Sequence, residues 1–134
     1  MRYVLDSWAL MAWLTRAEPG GRQVRSLLER AVAGRLELFM NIINVGEILY
    51  LLLKRGHGER AEALAEDIGS SMPIRTVVPD RDFILDAARL KGRHPISYAD
   101  AFAAITALRL DCSLVTGDPE LQLVSGLKMK WIGK

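Results

Sequence analysis

The sequence predicts a parallel α/β domain, with a central sheet and helices packed on both of its faces. Short apolar runs alternate with longer segments whose apolar residues recur at the 3.6-residue period of a helix. Two of these runs, 3–5 and 114–116, lead towards the acidic residues Asp6 and Asp118. The chain has 134 residues, half of them apolar and a quarter charged, so we expect one globular domain over residues 1–134.

The first part of the chain predicts one strand and two helices. Residues 2–6 are short and apolar, as a buried parallel strand should be. Residues 7–15 predict a helix with apolar residues on more than one side. Gly20 and Gly21 are expected to break the chain, and residues 22–33 predict an amphipathic helix.

The middle of the chain continues the alternation. Residues 36–41 predict the second strand. Residues 44–55 predict a helix that is apolar almost all round, which indicates burial on more than one side, and Gly56 ends it. Residues 59–68 form a cleaner amphipathic pattern, with acidic residues on the outer face.

The last part predicts two more helices and three more strands. The third strand covers residues 74–78, and a helix follows from 79 to about 92. Residues 97–110 predict a helix rich in alanine and leucine, whose small residues allow close approach to the sheet. Residues 112–116 predict the fourth strand, and 127–131 alternate apolar and basic residues, as a lysine-guarded edge strand does.

Four carboxylates stand where such a fold brings elements together. Asp6 and Asp118 follow predicted strands, and Glu47 and Asp100 lie in the first turn of predicted helices. Because strand carboxyl ends and helix amino ends share one edge of a parallel sheet, the four acids can converge there. Converging carboxylates repel unless a divalent cation lies between them, and hard oxygen ligands suit Mg²⁺ or Mn²⁺.

Helix capping is the alternative role for each of these acids. Glu47 and Asp100 each stand three residues after a potential capping residue, in the spacing of a capping box. Asp118 precedes a proline, as an N-cap often does, and Asp6 is in position to cap the first helix. The two potential capping residues upstream are Asn44 and Ser97.

Four segments resemble the PIN-domain nucleases, and among them the VapC-type ribonuclease toxins of prokaryotic toxin–antitoxin pairs. The segments are 4–7, 44–48, 97–101 and 115–121, and they follow the family's order along the whole chain. The resemblance implies a three-layer α/β/α fold with a parallel sheet in the strand order 3-2-1-4-5. The chain departs from the family at Leu121, where an aromatic residue is common.

The resemblance also implies the roles of individual residues. Asp6, Glu47, Asp100 and Asp118 would form the acidic quartet of the catalytic site, with Asp6, Asp100 and Asp118 holding one or two Mg²⁺ or Mn²⁺ ions. Thr116 would support the site through its hydroxyl. A further acid, Glu120, would stand close to the metal ligands or share the role of Asp118. The reaction would be hydrolysis of an RNA phosphodiester.

Partners follow from the same resemblance. Relatives of the toxin type form homodimers and are silenced by a small antitoxin that lies in an apolar groove near the site. Residues 8–14 and 48–53 offer apolar surface for such a partner, or alternatively belong to the core or to a dimer interface.

Composition adds bounds on location and partners. The formal charge of +2 is weak support for a nucleic-acid ligand, although arginine, which grips phosphate in bidentate fashion, outnumbers lysine by 13 to 5. A general arginine bias explains the count equally well. Cys112 is the single cysteine, so an intramolecular disulfide is excluded. Without a signal-peptide pattern or a membrane-length apolar run, the expected location is the cytoplasm.

Other functions fit the residues less well. A haloacid-dehalogenase-like phosphatase needs a second aspartate two residues after the first, where this chain has Trp8. A non-catalytic binding module on the same fold is the other alternative, and such a module would be expected to have lost some of the acids. Neither His57 nor His94 has the spacing of a zinc ligand. The three tryptophans favour packing over base stacking, and they are Trp8, Trp13 and Trp131.

Overall fold

The computed structural model describes residues 1–134 and contains a five-stranded sheet with helices on both faces. The strands are β1 (Arg2–Leu5), β2 (Glu37–Asn41), β3 (Ile74–Val77), β4 (Ser113–Thr116) and β5 (Met129–Trp131). The α-helices are α1 (Ser7–Leu14), α2 (Gly20–Val32), α3 (Ile42–Lys54), α4 (Gly58–Asp67), α5 (Arg81–Arg93) and α6 (Tyr98–Leu110). A 3₁₀ helix covers Pro119–Leu123.

The sheet is parallel throughout, with the strand order β3-β2-β1-β4-β5 that the family resemblance implies. The chain lays down β1, β2 and β3 in one direction and then returns to place β4 on the other side of β1. In the register of β1 and β4, Leu5 stands opposite Val115. The crevice at the carboxyl ends of these two strands is therefore the topological switch point, where open parallel sheets bind ligands.

The core has two halves, one on each face of the sheet. Successive strand side chains point to opposite faces, so Leu5 belongs to one half and Val4 to the other. The first half packs against α1, α2, α3 and α4, and the second against α5 and α6. The predicted three-layer α/β/α arrangement is confirmed, and it leaves the carboxyl edge of the sheet open between the layers.

The predicted break at Gly20 and Gly21 is wrong. These residues form the first turn of α2, and both are buried. A Cβ atom on Gly21 would lie 2.8 Å from the carbonyl oxygen of Ala12, so a larger residue could not enter without moving the backbone. The two glycines therefore allow α2 to pack closely on α1.

The predicted start of the third helix is also wrong. The helix begins at Ile42, and its N-cap is Asn41, whose Oδ1 accepts a hydrogen bond from the Ile43 backbone N–H at 2.9 Å. Glu47 consequently lies in the second turn of α3, and the capping box expected between Asn44 and Glu47 does not form. The helix is also less enclosed than predicted, because its apolar residues include the exposed Leu53.

The edge strand is shorter than predicted but lies where the pattern placed it. β5 covers only Met129–Trp131, and it pairs with β4 alone. Lys128 precedes it and forms a salt bridge with Asp111, with 3.0 Å between Nζ and Oδ1. The lysine side of the edge is thus solvated, as the alternation indicated.

The helices are all short. The longest, which include α3 and α6, have 13 residues each. None of them combines the length and the apolar character that a bilayer-crossing helix requires.

Candidate active site

Asp6 stands directly after β1 at the switch point, and its side chain is fully buried. The carboxylate Oδ1 accepts a hydrogen bond from the Ala9 backbone N–H at 2.8 Å, so the predicted capping of α1 is confirmed. The second oxygen, Oδ2, has no hydrogen-bond partner in the protein. Oδ1 therefore caps α1, and Oδ2 is buried without a hydrogen-bond partner.

Burial raises the pKa of Asp6 from 3.8 to about 7. The Thr116 hydroxyl and the Ala9 N–H oppose this change, while the charges of Asp100 and Asp118 add to it. Thr116 is itself fully buried at the end of β4. Asp6 is thus a buried carboxylate with one unbonded oxygen and two acidic neighbours. A bound cation would stabilise its charge and reduce the repulsion between the three carboxylates.

Asp100 lies in the first turn of α6, as predicted. Its backbone N–H donates a hydrogen bond to the Ser97 Oγ at 3.1 Å, which confirms Ser97 as the N-cap. The pKa of Asp100 is raised from 3.8 to about 7, mainly by burial, with further contributions from the charge and hydrogen bonding of Asp118 and from the charge of Glu47. The cap and the carboxylate thus use different parts of the residue.

Asp118 is held by hydrogen bonds on both sides. Its backbone N–H donates to the Thr116 Oγ1 at 3.0 Å, and its Oδ1 accepts from the Glu120 backbone N–H at 3.0 Å. The predicted N-cap followed by proline is confirmed at the start of the 3₁₀ helix. One carboxylate oxygen from each of Asp100, Asp118 and Glu120 lies within 4.8 Å of the other two.

Glu47 reaches the same region from the second turn of α3. The Ser7 hydroxyl donates a hydrogen bond to Glu47 Oε1, linking the start of α1 to the side of α3. The sequence analysis did not predict this contact of Ser7. The signal available in the sequence was only the position of Ser7, immediately after Asp6.

Four acids line one open cleft of about 410 Å³, which we call the acidic cleft. They are Glu47, Asp100, Asp118 and Glu120. Asp6 is buried beside the cleft and does not line its open part. Its pKa responds to the charges of Asp100 and Asp118, so Asp6 is electrostatically coupled to the acidic cleft.

Buried amides fix the elements that carry the acids. The Asn44 Nδ2 donates to the Ala99 carbonyl at 3.0 Å, and this bond ties α3 to the start of α6, one residue before Asp100. The Asn41 Nδ2 donates to the Thr106 Oγ1 at 3.1 Å and joins the same two helices further along. The sequence analysis considered Asn44 only as a cap and did not consider Asn41, because the partners of these amides are distant in the chain.

The fold, with carboxylates from the ends of two strands and from two helices at its switch point, places this chain in the class of parallel α/β proteins with a candidate ligand site at that edge. Within this class, the sequence model of the PIN domain matches residues 3–127. The chain therefore belongs to the PIN domain family, and the resemblance carried by the four segments is confirmed.

Solved structures agree with this assignment at the level of the fold. VapC20 of Mycobacterium tuberculosis, described as a toxin that cleaves the sarcin–ricin loop, is 19% identical, with a TM-score of 0.73 over 93% of this chain and 95% of that one. A DNA-bound VapBC of Salmonella typhimurium is 16% identical, with a TM-score of 0.74 over 97% of each chain. VapBC2 of Rickettsia felis, bound to a promoter DNA fragment, is 18% identical, with a TM-score of 0.73 over 97% and 98%. Among curated proteins, no sequence matches significantly.

Proposed function

We propose that this chain is a metal-dependent endoribonuclease that acts as the toxin of a toxin–antitoxin pair. The observation that carries the proposal is the buried Asp6, whose Oδ2 has no partner and whose charge is coupled to Asp100 and Asp118 at the switch point of a PIN fold. In this proposal, residues 1–134 act as one nuclease domain.

The donor set fits a divalent cation. Three carboxylate oxygens within 4.8 Å of one another, with a further buried carboxylate beside them, would repel strongly without a countercharge. All of the donors are oxygen atoms, which Mg²⁺ and Mn²⁺ prefer over nitrogen and sulfur. Asp6, Asp100 and Asp118 would hold the ion, and the place of Glu120 in the cluster supports a share in the role of Asp118.

A bound divalent cation supplies Lewis acidity, which acidifies water and neutralises charge that builds on a phosphate. The protein's own contribution is to place the groups around that phosphate. The Ser7 hydroxyl restrains Glu47 in the acidic cleft, where its carboxylate is placed to orient an attacking water and accept its proton. The Thr116 Oγ1 accepts a hydrogen bond from the Asp118 backbone N–H, and the same hydroxyl lies beside the Asp6 carboxylate. Thr116 therefore positions both acidic residues relative to β4.

RNA is the proposed substrate because the chain belongs to the PIN family, whose nucleases it resembles; VapC20, which has a similar fold, is described as a toxin that cleaves the sarcin–ricin loop. The antitoxin partner is proposed because several similar structures are of VapBC toxin–antitoxin pairs. This chain offers apolar surface for a partner on α3, where Ile43, Tyr50 and Leu53 are all exposed on one side of the helix. The same surface would serve a second copy of the chain in a homodimer.

RNA cleavage by the purified protein tests the proposal. Cleavage should require Mg²⁺ or Mn²⁺ and stop in EDTA. Asp6→Asn and Asp100→Asn should each abolish it without unfolding the chain, because asparagine caps a helix as well as aspartate does and the Ser97 cap uses only the backbone of Asp100. Asp82→Asn, a change of the same kind at an exposed position of α5, is the matched control and should cleave normally.

The same assay separates the alternatives. A phosphatase would instead release phosphate from small phosphomonoesters, and a binding module would do neither. Cleavage of RNA by Asp6→Asn or Asp100→Asn at the wild-type rate would contradict the metal-ligand role of that residue.

A further inference from the structure

A second cavity adjoins the acidic cleft on the side of α1. Its volume is about 200 Å³, and we call it the α1 cavity. Trp8, Met11 and Arg55 line both this cavity and the acidic cleft, and the remaining walls come from α1 and the residues after it. A ligand that occupies the acidic cleft can therefore extend into the α1 cavity without leaving the protein surface.

The Trp8 side chain packs against Gly117 and Gly20 where the acidic cleft meets the α1 cavity. A Cβ atom on Gly117 would lie 2.2 Å from the Cη2 of Trp8, and one on Gly20 would lie 3.1 Å from its Cζ3. Gly117 directly precedes Asp118, so the Trp8 ring packs next to the acidic cluster. The residue is nevertheless 37% exposed. Trp8 is therefore held in place by its packing while part of it lines both the acidic cleft and the α1 cavity.

Arg55 is the one cation among the residues that line the acidic cleft. It follows α3, is exposed, and forms neither a salt bridge nor a side-chain hydrogen bond in the structure. Arginines such as Arg75 and Arg109, by contrast, are paired with carboxylates. An unpaired guanidinium beside four acids has its fork of donors available for a phosphate, which it can bind in bidentate fashion.

We propose that the α1 cavity is a nucleotide subsite for the RNA strand. A base adjacent to the cleaved phosphodiester stacks on Trp8, and a backbone phosphate contacts Arg55. Single-stranded RNA is bound in this way because every base has a face that can stack on an aromatic ring. The subsite rests on the proposed nuclease function and adds a site for the substrate beyond the carboxylates. Trp8 therefore has a second role beside the packing that the sequence favoured.

The test of Trp8 uses binding, which does not require cleavage. The probe is a fluorescent, 2′-O-methylated single-stranded oligoribonucleotide of mixed sequence, titrated with protein in Mg²⁺ and followed by anisotropy. Trp8→Leu, which keeps an apolar side chain against Gly117, should weaken binding about tenfold. Trp8→Phe should recover part of that loss because it keeps an aromatic face. Trp13→Leu, on the same helix but outside the acidic cleft, is the matched control and should bind as wild type.

The test of Arg55 uses the salt dependence of the same titration. Each phosphate contact on a single strand contributes about 0.7 to the slope of log affinity against log salt concentration. Arg55→Gln should therefore reduce that slope by about 0.7. Arg35→Gln is the control. It removes the same charge just before β2, at the amino-terminal ends of the strands and away from the acidic cleft, and it should leave the slope unchanged. Because Arg55 has no partner in the chain, a loss of folding is not expected.

The outcomes separate the subsite from the nuclease function. A protein that cleaves RNA while Trp8→Leu and Arg55→Gln bind the probe as wild type does would overturn the subsite alone. Wild-type protein that neither cleaves RNA nor binds the probe would overturn both. A probe in which one nucleotide lacks its base provides a further test. If such a probe binds more weakly to the wild-type protein but not to Trp8→Leu, the result would support the subsite and identify the stacked nucleotide.

Discussion

At the scale of the residue, Asp6 divides its two carboxylate oxygens between the fold and the site. Oδ1 caps α1, and Oδ2 stays buried without a partner. Asp100 makes a similar division, because its backbone N–H is bonded to the Ser97 cap and its carboxylate belongs to the acidic cluster. Capping and metal binding are therefore compatible roles of one residue, although the sequence presented them as alternatives.

The sequence could locate these acids but could not set their surroundings. Each cap was visible as a local pattern, and those of Asp6, Ser97 and Asp118 are confirmed. The contacts of Ser7 and Asn44 join residues that are 40 and 55 positions apart, so no local pattern predicts them. Their formation depends on how α1, α3 and α6 pack.

The clustered carboxylates predict a response of stability to metal. At an effective dielectric near 20, like charges at about 4 Å cost on the order of 4 kcal/mol before screening. An acid at a helix start gains only about 0.3–1 kcal/mol from the helix dipole. At a pH above the value of about 7 for Asp100, Asp100→Asn should leave the metal-free protein as stable as wild type or more stable.

Thermal melts in EDTA and in millimolar Mn²⁺ measure this effect. Metal should raise the melting temperature of the wild-type protein. At a metal concentration a hundred times the dissociation constant, one bound ion increases the free energy of unfolding by about 2.7 kcal/mol. The increase should be smaller for Asp100→Asn. A wild-type melting temperature that is indifferent to metal would contradict the clustered metal site.

At the scale of the element, hydrophobic periodicity gave the type of each element more reliably than its ends. All five predicted strands are present, and each predicted helix is found within a few residues of its expected bounds. The largest error concerned Gly20 and Gly21, because glycine has the same local signature in a chain break and in a close helix contact. Only the position of Ala12 on the neighbouring helix distinguishes the two.

Two glycine substitutions of opposite expected effect test this interpretation. Gly21→Ala should destabilise the protein, since its Cβ would lie 2.8 Å from the Ala12 carbonyl oxygen. Gly46→Ala should stabilise it by about 0.5–1 kcal/mol, because Gly46 is exposed within α3, nothing lies within 4 Å of the added Cβ, and alanine favours the helix. Urea unfolding of both variants measures the two changes. An unchanged midpoint for Gly21→Ala would show that α1 and α2 can separate without cost.

At the scale of the whole molecule, strand order places the site. With β4 beside β1, Asp6 and Asp118 follow adjacent strands, and α3 and α6 bring Glu47 and Asp100 to the same edge. The alternation of strands and helices predicted a parallel sheet, but it did not by itself determine the order. The alternating pattern of residues 127–131 predicted that β5 is an edge strand, but the rest of the order came from the family resemblance. The parallel sheet alone predicted that the acids share one edge, whereas the adjacency of Asp6 and Asp118 followed only from the family's strand order.

The proposed toxin function predicts arrest of growth when the protein is overproduced in a bacterial host. Cleavage of essential RNA would stop growth, and Glu47→Gln should relieve the arrest, because loss of a general base slows a reaction about 10²- to 10⁴-fold. Glu37→Gln is the matched control: Glu37 begins β2 at the opposite edge of the sheet, so this variant should still arrest growth. Growth curves, with immunoblots to show equal protein levels, make the comparison. Normal growth with abundant folded wild-type protein would contradict the toxin function and leave the fold assignment intact, whereas arrest by Glu47→Gln would remove Glu47 from the proposed mechanism.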